Sequence, residues 1–354
     1  MFFLLKKREW RIYLIALLII SIYPLINVYI NKTKPERINT PVAKVENSQV
    51  AFPDETQNVL AEKIEVTVMP TKKQEVNREV KLGISSEDYT RADGSIPSLE
   101  KQLGITFNTV SIYKQFGHPT NKYVSEEDLS YLKSTVKNLL IAWEPWNPLE
   151  GGSQSVDYLQ QIPKGSTDEY IKAFAAQLKS FSKPVIIRFG HEMNGNWYPW
   201  GGRPEEYKTA YRYMVDMLRK EGLTNVKFMW SINAENVPLT RIANVSKFYP
   251  GEAYVDMIGI DGYNWGGSNW RSFKDIFSSP YNYLNKTYNK PIIISETASS
   301  EIGGSKAAWI AAMFAALKSD YPKISEVVWF NIPKEQDWRI DSSQSSLEAF
   351  KSSF

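Results

Sequence analysis

The chain is predicted to be an α/β protein, a (β/α)8 TIM barrel preceded by one N-terminal transmembrane helix and a polar linker. Three observations predict this. Beyond Val80 short apolar runs alternate with helical stretches, the pattern of a parallel sheet joined by crossover helices. Eight such runs can be found, the number that closes this barrel. With 354 residues, 43% of them hydrophobic and 23% charged, the chain can bury one large core, and a barrel of about 250 residues uses most of it.

The elements follow in order. Residues 1–11 form a basic start in which Lys6, Lys7, Arg8 and Arg11 precede an uncharged apolar run from Ile12 to Ile30. That run is about the length a helix needs to cross a bilayer, and the positive-inside bias keeps the N-terminus in the cytoplasm and the rest outside. A cleaved signal peptide is the rival reading, with secretion as its consequence. No small-x-small cleavage site follows Ile30, where the chain reads Asn31-Lys32-Thr33-Lys34, so an uncleaved anchor is expected. Residues 31–80 are rich in Lys, Glu, Thr, Asn, Val and Pro with little periodicity and read as an extracytoplasmic tether, in which Ile64 to Val68 alternates as a short strand would. The barrel domain is placed at residues 81–354.

Within it the predicted strands are Leu82 to Ser85, Phe107 to Ile112, Leu139 to Trp143, Val185 to Phe189, Val226 to Trp230, Met257 to Asp261, Ile292 to Ser295 and Glu326 to Phe330. Helix starts are signalled by Ser125 ahead of Glu126, Glu127 and Asp128, by Ser166 with Glu169 as a capping box, by Pro204 with Gly222 past the far end, and by Ser305 before an Ala-rich stretch.

Composition limits the functions. A formal charge of +3, with scattered Lys and Arg, makes nucleic acid an unexpected partner. The chain has no Cys, so disulfides, a lipobox lipid, a thiol nucleophile and Cys-bound metal are ruled out.

Active sites in this fold lie at the C-terminal ends of the strands. Two acids stand there among aromatic residues: Glu192 in Phe189-Gly190-His191-Glu192-Met193-Asn194-Gly195-Asn196-Trp197, after the fourth run, and Glu296, after the seventh. Paired carboxyl groups of this kind are the equipment for breaking a glycosidic bond. Glu144, Asp261 and Asp337 also stand near strand ends, so position alone does not select the pair. His191 is a candidate metal ligand by residue type, but no second His follows four residues on as a zinc-protease helix requires, so no metal and no cofactor are expected. His118, after the second run, is either a groove residue or an ordinary loop histidine. Trp143, Trp146, Trp197, Trp200, Trp230, Trp265, Trp270, Trp329 and Trp338 fall at or just after strand ends, where flat rings suit the apolar faces of pyranoses and a row of them suits a polymer. Some, Trp230 above all, are expected in the core.

The His-Glu-Met-Asn-Gly-x-Trp segment and Ser295-Glu296-Thr297 resemble the acid/base and nucleophile motifs of glycoside hydrolase family 26, from about Lys81 to near the C-terminus. The resemblance implies a retaining endo-β-glycanase acting by double displacement, with Glu192 as acid/base and Glu296 as nucleophile. Burial is expected to raise Glu192, while hydrogen-bond donors hold Glu296 as the carboxylate. It further implies that Tyr263 donates to Glu296, that His191 binds a sugar hydroxyl or orients its neighbours, that Trp197 flanks the leaving group, and that Trp329 floors the sugar at the cleavage point. Glu144 and Trp146, in Trp143-Glu144-Pro145-Trp146, are further substrate-binding candidates. β-1,4-Mannan is the first expected substrate. The segment Trp197-Tyr198-Pro199-Trp200 lacks the paired tryptophans frequent in mannan-cutting relatives, which brings mixed-linkage β-glucan close behind. A polysaccharide trimmed during export is a third possibility. A monomer is expected. The competing classes are a non-catalytic carbohydrate-binding barrel and a glycan-adhering surface protein.

Overall fold

The computed structural model describes residues 79–89 and 94–353. Eight parallel strands close into a barrel in chain order: β1 Lys81–Ser85, β2 Thr109–Gln115, β3 Asn138–Glu144, β4 Val185–Phe189, β5 Val226–Asn233, β6 Met257–Asn264, β7 Ile292–Ser299 and β8 Ile324–Phe330. Helices α1 Ser95–Leu103, α2 Glu126–Thr135, α3 Tyr158–Gln161, α4 Asp168–Phe181, α5 Pro204–Lys220, α6 Phe273–Thr287, α7 Lys306–Ser319 and α8 Gln344–Lys351 lie between or after them. Only 3-10 turns, Ile242–Phe248 and Glu252–Tyr254, join β5 to β6.

All eight sequence-predicted strands are present, but β2, β3, β5, β6 and β7 run further at their C-terminal ends than the apolar runs do. The reason lies in the lumen. Leu140, Ile186, Met229, Ile293 and Val328 form one apolar cluster with Met257 against it. Two residues further along the same strands, where side chains return to the same face, stand Arg188, Ser231 and Ser295. Asp261 joins them from β6, through hydrogen bonds to all three. The lumen is thus apolar below and polar above, and an apolar-run criterion stops where the polarity changes. Gly259 is required at the seam, because a Cβ there would meet Met229, Ser231 and Ser295 side chains at once.

The helix signals divide. Ser125 accepts from Asp128 N at 3.0 Å and Ser305 from Ala308 N at 3.1 Å, capping α2 and α7. Pro204 opens α5, and Gly222 past its end has φ +74°. The Ser166–Glu169 box does not form: α4 begins at Asp168, and Ser166 Oγ instead donates to Gln161 Oε1 at 2.9 Å, tying back to the end of α3. A capping box is found at Ser272 and Asp275 ahead of α6.

The apolar run Ile12 to Ile30 and the alternation Ile64 to Val68 lie outside the described residues, as does nearly all of the 31–80 linker. Among the described residues no helix is long and apolar enough to cross a membrane.

Candidate active site

The loop after β4 is folded so that Glu192 points into the barrel mouth. Gly190 has φ +52° and Glu192 itself φ +54°, a left-handed conformation that costs a residue with a Cβ about 1–2 kcal/mol. The surroundings impose it. Glu192 N donates to Ser231 O at 3.0 Å, and its carbonyl accepts Gly195 N at 2.9 Å. Met193 is wholly buried, and the Asn194 carboxamide accepts from Asn233 N at 2.9 Å and donates to Asn233 O at 2.8 Å, pinning this loop to the one after β5. The Met-Asn-Gly part of the motif is therefore scaffold. Glu192 is 8% exposed, and the Trp197 indole N–H donates to its Oε2 at 2.7 Å. Burial, with the negative charges of Asp261 and Glu296, holds its carboxyl well above the usual range, against the pull of Arg188 and Trp197.

Glu296 is also 8% exposed and is held differently. The β6–β7 register pairs Ile260 with Ile294 but Asp261 with Glu296, so Ser295 is bulged. Two successive side chains then face the lumen: Ser295 Oγ donates to Asp261 Oδ1 at 2.6 Å, and Glu296 accepts from the groups at the mouth. Arg188 Nη2 donates to Glu296 Oε2 at 2.6 Å, Tyr113 OH donates to the same oxygen at 2.6 Å, and Tyr263 OH donates to Oε1. Burial first, then the Glu296 charge, raises both tyrosines well above their ordinary value, so they stay protonated donors. Arg188, fully buried, also donates from Nη1 to Asp261 Oδ1 at 2.8 Å. Asp261 accepts in addition from Ser231 at 2.8 Å, and burial pushes it up to about 6 against the Arg188 charge.

A fourth carboxyl group closes the β3 side. Glu144 Oε2 accepts from Gln115 at 2.7 Å and from the Trp146 indole at 3.2 Å, and burial raises the group to about 7. Its Oε1 lies 3.9 Å from His191 Nε2, which is 3.1 Å from Tyr198 OH. Burial, then the charges of Arg188 and Lys334, hold His191 well below its usual value, so the ring is neutral. His191 is almost wholly enclosed, packed by Tyr113, Tyr198 and Trp200.

The structure brings Glu192, Glu296, Tyr263, Trp197, Glu144, Trp146 and His191 to one end of the barrel. It does not bring Trp329 there. That ring is fully buried on the outer side of β8, its N–H donating to Trp338 O at 2.7 Å, against Phe350 at 4.7 Å and Trp309 at 6.2 Å. Strand alternation explains this: the next residue, Phe330, faces the mouth and touches Tyr113 and Tyr263. Trp143, Trp200, Trp230 and Trp338 are likewise buried, so most of the strand-end tryptophans are packed in the protein interior. His118 is a loop residue whose Nδ1 accepts from Asn121 N at 2.9 Å, and Asp337 pairs with Arg339 at 2.6 Å. Arg188 and Tyr113 were missed. Arg188 had a signal, a lone charge inside the apolar run of β4, whereas Tyr113 reads as an ordinary strand aromatic.

The model of glycosyl hydrolase family 26 matches residues 153–346, more than half of the chain. The chain belongs to glycosyl hydrolase family 26. The family match starts after β3 and carries both Glu192 and Glu296. Endoglucanase H of Acetivibrio thermocellus is 42% identical over 228 residues, which are 60% of this chain and 24% of that protein. A mannan endo-1,4-beta-mannosidase of Bacillus subtilis is 32% identical over 162 residues, 42% of this chain and 39% of that one. The family-26 chain thus matches well under half the length of these curated relatives. The solved GH26 beta-mannanase of Bacteroides ovatus superposes with a TM-score of 0.58 at 19% identity, over 79% of this chain and 89% of that one, a likeness of fold.

Proposed function

We propose that this family-26 hydrolase is a retaining endo-β-glycanase that cuts internal bonds of a β-1,4-linked or mixed-linkage glucan. The observation that carries the chemistry is the unequal dressing of two acids at one mouth. Burial favours the protonated form of Glu192, while Glu296 is oriented by Arg188, Tyr113 and Tyr263. In the first displacement Glu296 attacks the anomeric carbon as Glu192 gives its proton to the departing glycosidic oxygen. In the second, Glu192 takes a proton from water, which cleaves the glycosyl ester and restores both groups.

Mannan, the first substrate expected from sequence, gives way to glucan on two grounds. The identity to a protein named Endoglucanase H is 42%, against 32% to a mannan endo-1,4-beta-mannosidase. Tyr198, where mannan-cutting relatives often have a second tryptophan, is stacked at 4.3 Å and 10° on the buried Trp200 and turns its hydroxyl to His191. The apolar run 12–30 and the polar residues after it support a barrel tethered at the outer face of a membrane; recovery of a soluble, N-terminally processed protein would replace this with secretion.

The test is digestion of barley-type glucan and konjac-type mannan by the full chain, with the anomeric form of the first product followed by proton NMR. Faster cleavage of glucan with a β product is expected. Preference for mannan would reverse the substrate assignment, an α product would remove the double displacement, and binding without cleavage of either would favour the non-catalytic barrel. Glu296→Ala should lose activity by about a thousandfold or more while still binding polymer.

A further inference from the structure

Among the described residues two tryptophans are exposed, Trp197 at 41% and Trp265 at 48%. Trp197 follows β4 and is bonded to Glu192. Trp265 directly follows β6, and its ring lies 5.8 Å from that of Tyr263, whose hydroxyl donates to Glu296. The ring of Trp338 lies 5.3 Å from that of Trp265 at 84°, an edge-to-face contact.

The turn that carries Trp265 is built to hold it still. Gly266 and Gly267 have φ +76° and +58°, and a Cβ at Gly266 would run into Ser300 and the Ile302 carbonyl. Gly267 N donates to Ile302 O at 2.7 Å, and Asn264, just before the ring, bonds to Ser299 Oγ at 2.9 Å and accepts from Arg271 N at 2.9 Å. An indole fixed on both sides of its backbone and left half in water is preorganised for a flat apolar ligand.

We propose that Trp265 is the stacking platform for a glycone-side pyranose, one sugar beyond the residue attacked by Glu296; this rests on the hydrolase reading above. The direction follows from the chemistry. The proton donor serves the leaving oxygen, so Glu192 and its partner Trp197 mark the leaving-group side. The sugar that stays bonded to Glu296 continues the other way, past Tyr263 to Trp265.

Kinetics of the full-length Trp265→Ala and Trp265→Phe variants on barley-type glucan test this. The alanine variant is expected to raise KM about five- to tenfold with kcat within about twofold, and the phenylalanine variant to restore most of the loss. In a Glu296→Ala background, the same Trp265→Ala change should weaken binding of an uncut oligosaccharide by the same factor. An unchanged KM overturns the platform. So does a fall in kcat at constant KM, which would make Trp265 a support for Tyr263 only. If the wild type cuts no β-glycan while the Glu296→Ala pair shows no difference in binding, both this inference and the reading beneath it fail; cleavage by the wild type with unchanged variants overturns the platform alone.

Discussion

The lower and upper halves of the barrel lumen are made by the same strands, two residues apart, yet follow opposite rules. Below, Leu140, Ile186, Met229, Ile293 and Val328 need only fit together. Above, Arg188, Asp261 and Glu296 are enclosed charges, and each depends on a named partner at 2.6 to 2.8 Å. Apolar burial stabilises without directional demands, whereas a buried charge is tolerated only when paired and hydrogen-bonded. The upper layer therefore gives the molecule chemistry, and the lower layer supplies the rigid floor on which that chemistry is registered.

Breaking the upper layer should have the largest effect. Arg188→Met leaves Asp261 and Glu296 without their shared cation, so a stability loss of about 3–5 kcal/mol is expected, together with a fall in kcat/KM of about a hundredfold or more. Urea unfolding should show a smaller loss at pH 5 than at pH 8, because Asp261, raised to about 6, is protonated at the lower pH and no longer needs a counter-charge. Equal losses at both would mean that packing, not charge pairing, is Arg188's main contribution.

Breaking the lower layer should separate stability from chemistry. Ile293→Ala removes buried volume from the apolar cluster and is expected to cost about 2–5 kcal/mol, while kcat/KM of the folded enzyme stays within about twofold. Thermal unfolding and kinetics on one preparation check both; a large kinetic loss would show that the two layers are not independent.

The smallest effect sharpens the comparison at the rim. Glu144 is raised to about 7 by burial, so between its ordinary carboxyl range and about pH 7 the folded protein holds a proton that the unfolded chain releases. That stabilisation is complete at acid pH and is lost as the pH rises through about 7. Glu144→Gln keeps an acceptor for Gln115 and Trp146 but cannot ionise. It should flatten the dependence of Tm on pH and leave the variant more stable than wild type at pH 8 by about 1–3 kcal/mol. An unchanged slope would place the titrating group elsewhere.

What the sequence by itself determined was the number and order of the strands and the two acids after the fourth and seventh of them. Apolar runs, turn residues and short motifs are local, and local signals survive in one dimension. The anchor expected at residues 12–30 rests on the same kind of signal and falls outside the described structure. Only the tertiary structure decided the rest. It turned Trp329 outward and Phe330 inward, because alternation along β8 is fixed by packing against α7 and α8 and not by residue type. It assigned Tyr113 to Glu296 across 183 positions of chain, and used a bulge at Ser295 to present two neighbouring side chains to one lumen. Partners so distant in sequence, and a shift of one residue in register, leave no local trace. They follow from closure of the sheet, which alone brings the ends of eight strands to a common mouth.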